Sequence, residues 1–149
     1  KQINLSFTQK KKTLRGFHYQ TNPYAETKYV TCLKGKVLDI IIDLRRKSKT
    51  FLKYHSEIIS EDDNKTILIP KGFAHGFLTL VDNCKLLYFH TASYNPKYEK
   101  GINFKDPKIG LKLKFKPKYV SVRDKNFKFI KNDFKGVDSK WYVDSVKIN

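Results

Sequence analysis

A chain of 149 residues, 40% hydrophobic and 14% aromatic, has the length and apolar content of one globular domain and not of two. Its formal net charge of +17 points to anionic partners, yet 27 of the 31 cations are lysines spread along the chain and only four are arginines. Scarce arginine argues against base-reading recognition, so no nucleic-acid partner is expected; solvated lysine faces and the protection of sheet edges explain most of the charge.

In chain order, period-two alternation predicts strands over 2–7, 13–20, 28–34, 36–44, 53–60, 66–70, 76–81 and 84–91. Turn chemistry separates them at Asn22-Pro23, Lys34-Gly35, Arg46-Lys47-Ser48, Glu61-Asp62-Asp63-Asn64, Pro70-Lys71-Gly72 and Asp82-Asn83. Strands of this length and spacing indicate an all-β antiparallel sandwich or barrel. Within TLRGFHYQ (13–20), strict alternation puts Gly16, His18 and Gln20 on one face and Arg15, Phe17 and Tyr19 on the other. Asp39 and Asp43 fall on one side of their strand; Asp43 reads as a structural turn residue and Asp39 as a support for His18 or His75. Alternating lysines in LKLKFKPK (111–118) suit a strand with one wet face. Ser121-Val-Arg-Asp124 has the form of a capping box, which predicts a short helix near the C-terminus, and Trp141, Tyr142 and Val143 are expected to dock the polar tail on the body. The longest apolar run, Val37 to Leu44, is interrupted by two aspartates and no signal peptide is visible, so no membrane partner is expected. Cys32 and Cys84 read as two buried free thiols of a cytoplasmic protein.

The stretch IPKGFAHGF (69–77) contains Pro70-x-Gly72-x-x-His75, a signature of cupin barrels in which the turn delivers a histidine into the barrel mouth. A metal-binding cupin requires two histidines one residue apart and a glutamate on an earlier strand. The matching stretch here is Gly16-Phe17-His18-Tyr19-Gln20, with Gln20 in place of the second histidine. That ligand set is broken, and no metal is expected.

RGFHYQ, followed by AETKYVTCLKGKVLDIIIDLRRKSKTF, IPKGFAHGFLTL and YNPKYEKGINFKDP, resembles the dTDP-4-dehydrorhamnose 3,5-epimerase family from about Gln2 to Asp124. The resemblance implies a cupin-like jelly roll (a double-stranded β-helix), a homodimer, no metal or organic cofactor, and a nucleotide-diphosphate 4-keto-6-deoxyhexose as substrate. In such a sugar the C4 ketone acidifies the protons on C3 and C5, so epimerisation needs a base on one face, an acid on the other and a cation or donor at the enolate oxygen. By position, His18 matches the family's base, Asp124 its orienting carboxylate, Lys28 the enolate-stabilising lysine and Tyr88 the acid. Gln2, Asn4, Arg15, Lys28, His75, Glu99 and Arg123 match positions that contact sugar, diphosphate or nucleotide, and Tyr94 matches the aromatic that stacks on the base.

Four departures accompany the match. The family's additional N-terminal segment is not found before Gln2, so residues 1–149 read as a single domain lacking it; Lys12 replaces a usual glycine; Glu26 replaces a usual glutamine close to Lys28; and Arg123 stands where a lysine is usual. A carboxylate two residues from Lys28 lies on the same strand face, placed to hold that lysine charged or to redirect it. Two rival readings remain at this level: a non-catalytic sugar-nucleotide-binding cupin, and a metal-dependent cupin enzyme, against which Gln20 argues.

Overall fold

The computed structural model describes residues 1–138. Ten strands form two packed sheets: β1 (Gln2–Thr8), β2 (Thr13–Gln20), β3 (Lys28–Lys34), β4 (Lys36–Asp43), β5 (Tyr54–Ser60), β6 (Thr66–Ile69), β7 (Phe73–Thr79), β8 (Cys84–His90), β9 (Glu99–Gly101) and β10 (Tyr119–Val120). Among the described residues the one α-helix, α1 (Val122–Lys125), follows β10; the Ser121 side chain caps it by accepting from the Asp124 N–H, as the sequence predicts. The four-stranded sheet runs β1-β8-β3-β6 and the six-stranded sheet β10-β2-β7-β4-β5, with β9 added beside β2. All pairs are antiparallel except β10 with β2. This is the all-β jelly-roll sandwich that the resemblance implies.

Strand β4 shows why its sequence is so apolar. Val37 joins the core between the sheets with Val30, Ile59, Ile69, Phe77 and Leu86. Ile40 and Ile42 face the opposite way, into a second core with Phe17, Leu44, Ala74, Ile102 and Ile109. The six-stranded sheet is thus covered on both faces, by the other sheet and by the segments after β9, which calls for a near-continuous hydrophobic run. Ile40, Ile42, Leu44 and Val37 are fully buried, each stabilising the fold by about 1.5–3 kcal/mol through lost apolar exposure. Asp39 and Asp43 share the inner side, as their spacing requires.

Strand β1 inverts the usual pattern. Its apolar positions Ile3, Leu5 and Phe7 are 65%, 62% and 51% exposed, while Asn4 and Ser6 line a cavity between the sheets. The interior at this end is polar, so the apolar side of the strand is the outer one.

Several expectations need correction. Strand β7 starts at Phe73 rather than 76, directly after the Pro70–Gly72 turn, where Gly72 has φ 86°. Residues 111–118 form no strand; Leu111 and Leu113 instead pack on the outer core while Lys112, Lys114, Lys116 and Lys118 face water, so the alternation is that of a segment outside both sheets. Strands β9 and β10 lack a legible pattern and exist because β2 offers them an edge. Within β2 the pairing with β7 slips between Arg15 and His18, so alternation breaks there: Phe17 is fully buried in the outer core, whereas Arg15 and His18 both line the inner cavity. The irregularity needs glycine on both strands. A Cβ on Gly16 (φ 126°) would lie 2.6 Å from the Gly76 Cα, and one on Gly76 would lie 2.6 Å from the Arg15 carbonyl oxygen. Trp141, Tyr142 and Val143 lie outside the described residues.

Cys32 and Cys84 are buried and free. Burial, and then the neighbouring Cys84, push the Cys32 thiol up to about 11, which keeps it unreactive at neutral pH. Among the described residues no helix is long and apolar enough to cross a membrane.

Candidate active site

A cavity of about 700 Å³ opens between the sheets, within the range that holds a hexose. Two cross-strand rows of the four-stranded sheet build one wall, His90 in register with Lys28 in one and Asn4 in register with Tyr88 in the next. The six-stranded sheet builds the other, where His18 on β2 pairs in register with His75 on β7. Helix α1 and the residues leading into it close the side with Tyr119, Ser121, Arg123 and Asp124.

His18 is held from both ring nitrogens. Its Nε2 lies 2.9 Å from Asp124 Oδ1 and its Nδ1 lies 3.2 Å from Glu99 Oε1. Asp124, 2% exposed, also accepts from the Gly16 N–H through Oδ2 at 3.1 Å, so the β2 irregularity and the α1 cap fix the carboxylate jointly. Burial raises the Asp124 carboxyl, but the bonds from His18 and the Gly16 N–H outweigh it and leave the group below the usual carboxylate range. Phe127 packs edge-on against the His18 ring with centroids 5.4 Å apart. Gly101 makes room for that ring, since a Cβ there would sit 2.2 Å from the Phe127 ring. Asn103 secures the segment by donating to the carbonyls of Lys125 and Phe127 at 2.9 and 2.8 Å.

Lys28, 8% exposed, projects from the other sheet. Its ammonium lies 3.4 Å from Glu26 Oε1 and donates to the His18 backbone carbonyl at 3.4 Å, so it reaches the opposite wall. Glu26 Oε2 accepts from Gln20 Nε2 at 3.0 Å and lies 3.2 Å from His90 Nδ1. Gln20, the residue that breaks the metal-ligand pattern, is a buried structural clamp: Nε2 also donates to the Tyr24 and Ser93 carbonyls, and Oε1 accepts from the Asn95 N–H. Tyr88 is pushed well above the usual phenol value, first by burial and then by the negative charge of Asp39, with Arg15 opposing. It is therefore a neutral phenol able to donate a proton. His75 contacts it edge-on at 5.9 Å and pairs with Asp39 at 2.7 Å, which assigns Asp39 to His75 and not to His18.

Of the eleven residues singled out from the sequence, His18, Tyr88, Lys28, Asp124, Asn4, Arg15, His75 and Arg123 line the cavity. Gln2, Tyr94 and Glu99 lie just outside it, in one chain of contacts: Gln2 Oε1 accepts from the Tyr94 N–H, the Tyr94 hydroxyl donates to Glu99, and Glu99 meets His18. Arg123 lies between these groups, its guanidinium 3.3 Å from both Glu99 Oε2 and Asp124 Oδ1. The Arg15 side chain is exposed and makes no hydrogen bond or ion pair among the described residues. The histidines of the cavity are each matched with a carboxylate, and among the described residues no group of three or more His, Cys, Asp or Glu is arranged to hold a metal ion. Sequence reasoning missed His90, whose two-residue spacing from Tyr88 places it on the same face. It also missed Phe127, for which no local signal exists.

An imidazole from one sheet, a phenol and an ammonium from the other, and an exposed guanidinium suit proton removal beside a carbonyl in a phosphate-bearing molecule. The sequence profile of the dTDP-4-dehydrorhamnose 3,5-epimerase family matches residues 1–132. The chain is 41% identical over 98 residues to a dTDP-4-dehydrorhamnose 3,5-epimerase of Mycobacterium tuberculosis, covering 66% of this chain and 48% of that one. It thus spans about half the length of that curated relative. The crystal structure of the Bacillus anthracis dTDP-4-dehydrorhamnose 3,5-epimerase with TDP and PPi bound superposes with a TM-score of 0.84 at 33% identity, over 87% of this chain and 74% of that one. The Legionella pneumophila dTDP-6-deoxy-D-glucose-3,5-epimerase in complex with dTDP-4-keto-L-rhamnose gives 0.81 at 35% identity, over 87% and 68%. With the same fold, the same order of motifs and a family match across nearly all described residues, this chain belongs to the dTDP-4-dehydrorhamnose 3,5-epimerase family.

Proposed function

We propose that the chain is an epimerase that inverts C3, C5 or both of a nucleotide-diphosphate 4-keto-6-deoxyhexose of the dTDP type. The observation that carries this reading is that His18 and Tyr88 enter one cavity from different sheets, and that the Lys28 ammonium reaches across the same cavity to the His18 carbonyl. A sugar ring held there presents one face to the imidazole and the other to the phenol. Asp124 fixes His18 through Nε2, leaving Nδ1 to take the proton from carbon; its contact with Glu99 gives way to the sugar, and Glu99 keeps Arg123 and Tyr94 as partners. As the C–H bond breaks, charge moves to O4, where Lys28 stabilises the enolate. Tyr88 then donates from the opposite face and the configuration inverts. The substrate's own ketone supplies the acidity. Arg15 and Arg123, exposed at the cavity, suit the diphosphate, and Tyr94, half exposed beside Glu99, suits the nucleotide base.

The test is incubation with dTDP-4-keto-6-deoxyglucose in D2O, followed by NMR. Deuterium entry at C3 or C5 with inversion is the expected result; no exchange with any of several nucleotide variants overturns the reading.

The working state proposed is a homodimer in the cytoplasm, the latter supported by two buried free thiols. Support for the dimer is the outer face of the four-stranded sheet, where Ile3, Phe89, Tyr29 and Leu68 form one exposed apolar row in register, flanked by Leu5 and Phe7. Sedimentation should give a dimer, and Leu5→Lys a monomer.

A further inference from the structure

Lys28 and Tyr88 stand on neighbouring strands in different rows, and one side chain touches the surroundings of both. The His90 ring stacks on Tyr88 with centroids 5.7 Å apart and planes 18° from parallel. Its Nδ1 edge lies at an ion-pair distance, 3.2 Å, from Glu26 Oε2 without hydrogen-bond geometry, beside the Gln20 amide that donates to the same oxygen, and Nε2 lies 3.4 Å from Asn4 Nδ2. The other Glu26 oxygen faces the Lys28 ammonium. These groups are enclosed: the side chains of Glu26, Lys28 and His90 are 7%, 10% and 13% exposed. Burial raises the Glu26 carboxyl, but the His90 contact and the Lys28 charge outweigh it, so Glu26 is ionised at neutral pH. A four-carbon ammonium stem has many rotamers, and a fixed buried carboxylate selects one.

We propose that His90 is a positioning residue for the epimerisation read above, on which this inference rests: its face aligns the Tyr88 phenol, and its edge fixes the Glu26 carboxylate that holds Lys28 at the enolate oxygen. Neither Glu26 nor His90 touches the reacting atoms. Face and edge are separable by mutation. His90→Phe keeps a ring for Tyr88 and removes the polar edge; His90→Gln keeps a donor for Glu26 and removes the ring.

Because Lys28 acts on charge that exists only in the transition state, His90→Phe should lower kcat about tenfold with KM within about threefold of wild type. His90→Gln should leave abstraction working but raise the ratio of deuterium exchange to inversion at least about threefold. With the phenol out of line, His18 returns a solvent deuteron to the face it came from. Glu26→Leu should reproduce the His90→Phe loss, and Glu26→Gln, which keeps an oxygen for the ammonium, should restore most of the rate. Each preparation is normalised to its dTDP-binding sites by calorimetry, so a general loss of folded protein cannot mimic the KM–kcat split or the altered ratio. If His90→Phe does not fold, the two Glu26 variants decide the edge. A His90→Gln protein with the wild-type ratio, or an edge variant with wild-type kcat, overturns the proposal. Wild-type protein that puts no deuterium into the sugar overturns the epimerase reading itself, so the two failures are distinguishable.

Discussion

Asp43→Asn tests whether the loop after β4 is held by a single carboxylate. Asp43 is 1% exposed. Its Oδ1 accepts from the Arg45 backbone N–H at 2.9 Å and from Arg45 Nε at 3.0 Å, and its Oδ2 accepts from Arg45 NH2 at 2.9 Å and from the Ser48 and Thr50 hydroxyls at 2.6 Å each. Burial raises this carboxyl, but the Arg45 bonds and then the two hydroxyls more than reverse that, lowering it from 3.8 to about 2. At roughly 1.4 kcal/mol for each tenfold change in proton affinity, the lowering corresponds to about 2 kcal/mol of stability. The folded state binds this proton less tightly than the unfolded chain. The stabilisation is therefore complete well above 3.8 and disappears as the pH falls through about 2. Urea denaturation at pH 7 should show Asp43→Asn less stable by about 2 kcal/mol, with a Tm lower by roughly 4–8 °C. Repeated at steps down to pH 3, the gap between the two proteins should narrow. A variant as stable as wild type at pH 7, or a gap that stays constant with pH, refutes the reasoning.

Two further expectations concern the chemistry. Asp124→Asn turns an amide N–H toward His18 Nε2 and places the imidazole proton on Nδ1, the nitrogen assigned to abstraction. The exchange rate should fall by about 10²–10⁴-fold with dTDP affinity little changed, read by NMR and calorimetry. Tyr88→Phe removes the donor of the opposite face, so deuterium should still enter the sugar while inverted product falls about 10²-fold or more; loss of exchange itself would contradict the division of roles.

Local pattern was enough for much of the fold. Eight strands were legible because side chains in a strand alternate, and the two aspartates of β4 were correctly placed on one face by the same period. The Pro70–Gly72 turn marked where β7 would present His75. Motif order identified the family. Local pattern misled wherever the environment differed from an ordinary core. The apolar residues of β1 face outward because its inner side lines a polar cavity, and the lysine alternation at 111–118 belongs to a segment outside both sheets.

The sequence by itself determined that this chain makes a two-sheet β structure with a histidine, a lysine and a tyrosine at definite strand positions. Tertiary structure alone decided which groups meet. Asp124 reaches His18 across 106 residues and His75 reaches Asp39 across 36. The face of β2 that carries His18 is set by a slip against β7 that two facing glycines permit. The physical reason is the range of the interactions. Alternation reports the side on which a residue finds apolar neighbours, a property of a few consecutive positions, whereas a reactive cavity is made by strands far apart in the chain whose register is fixed only when the sheets close.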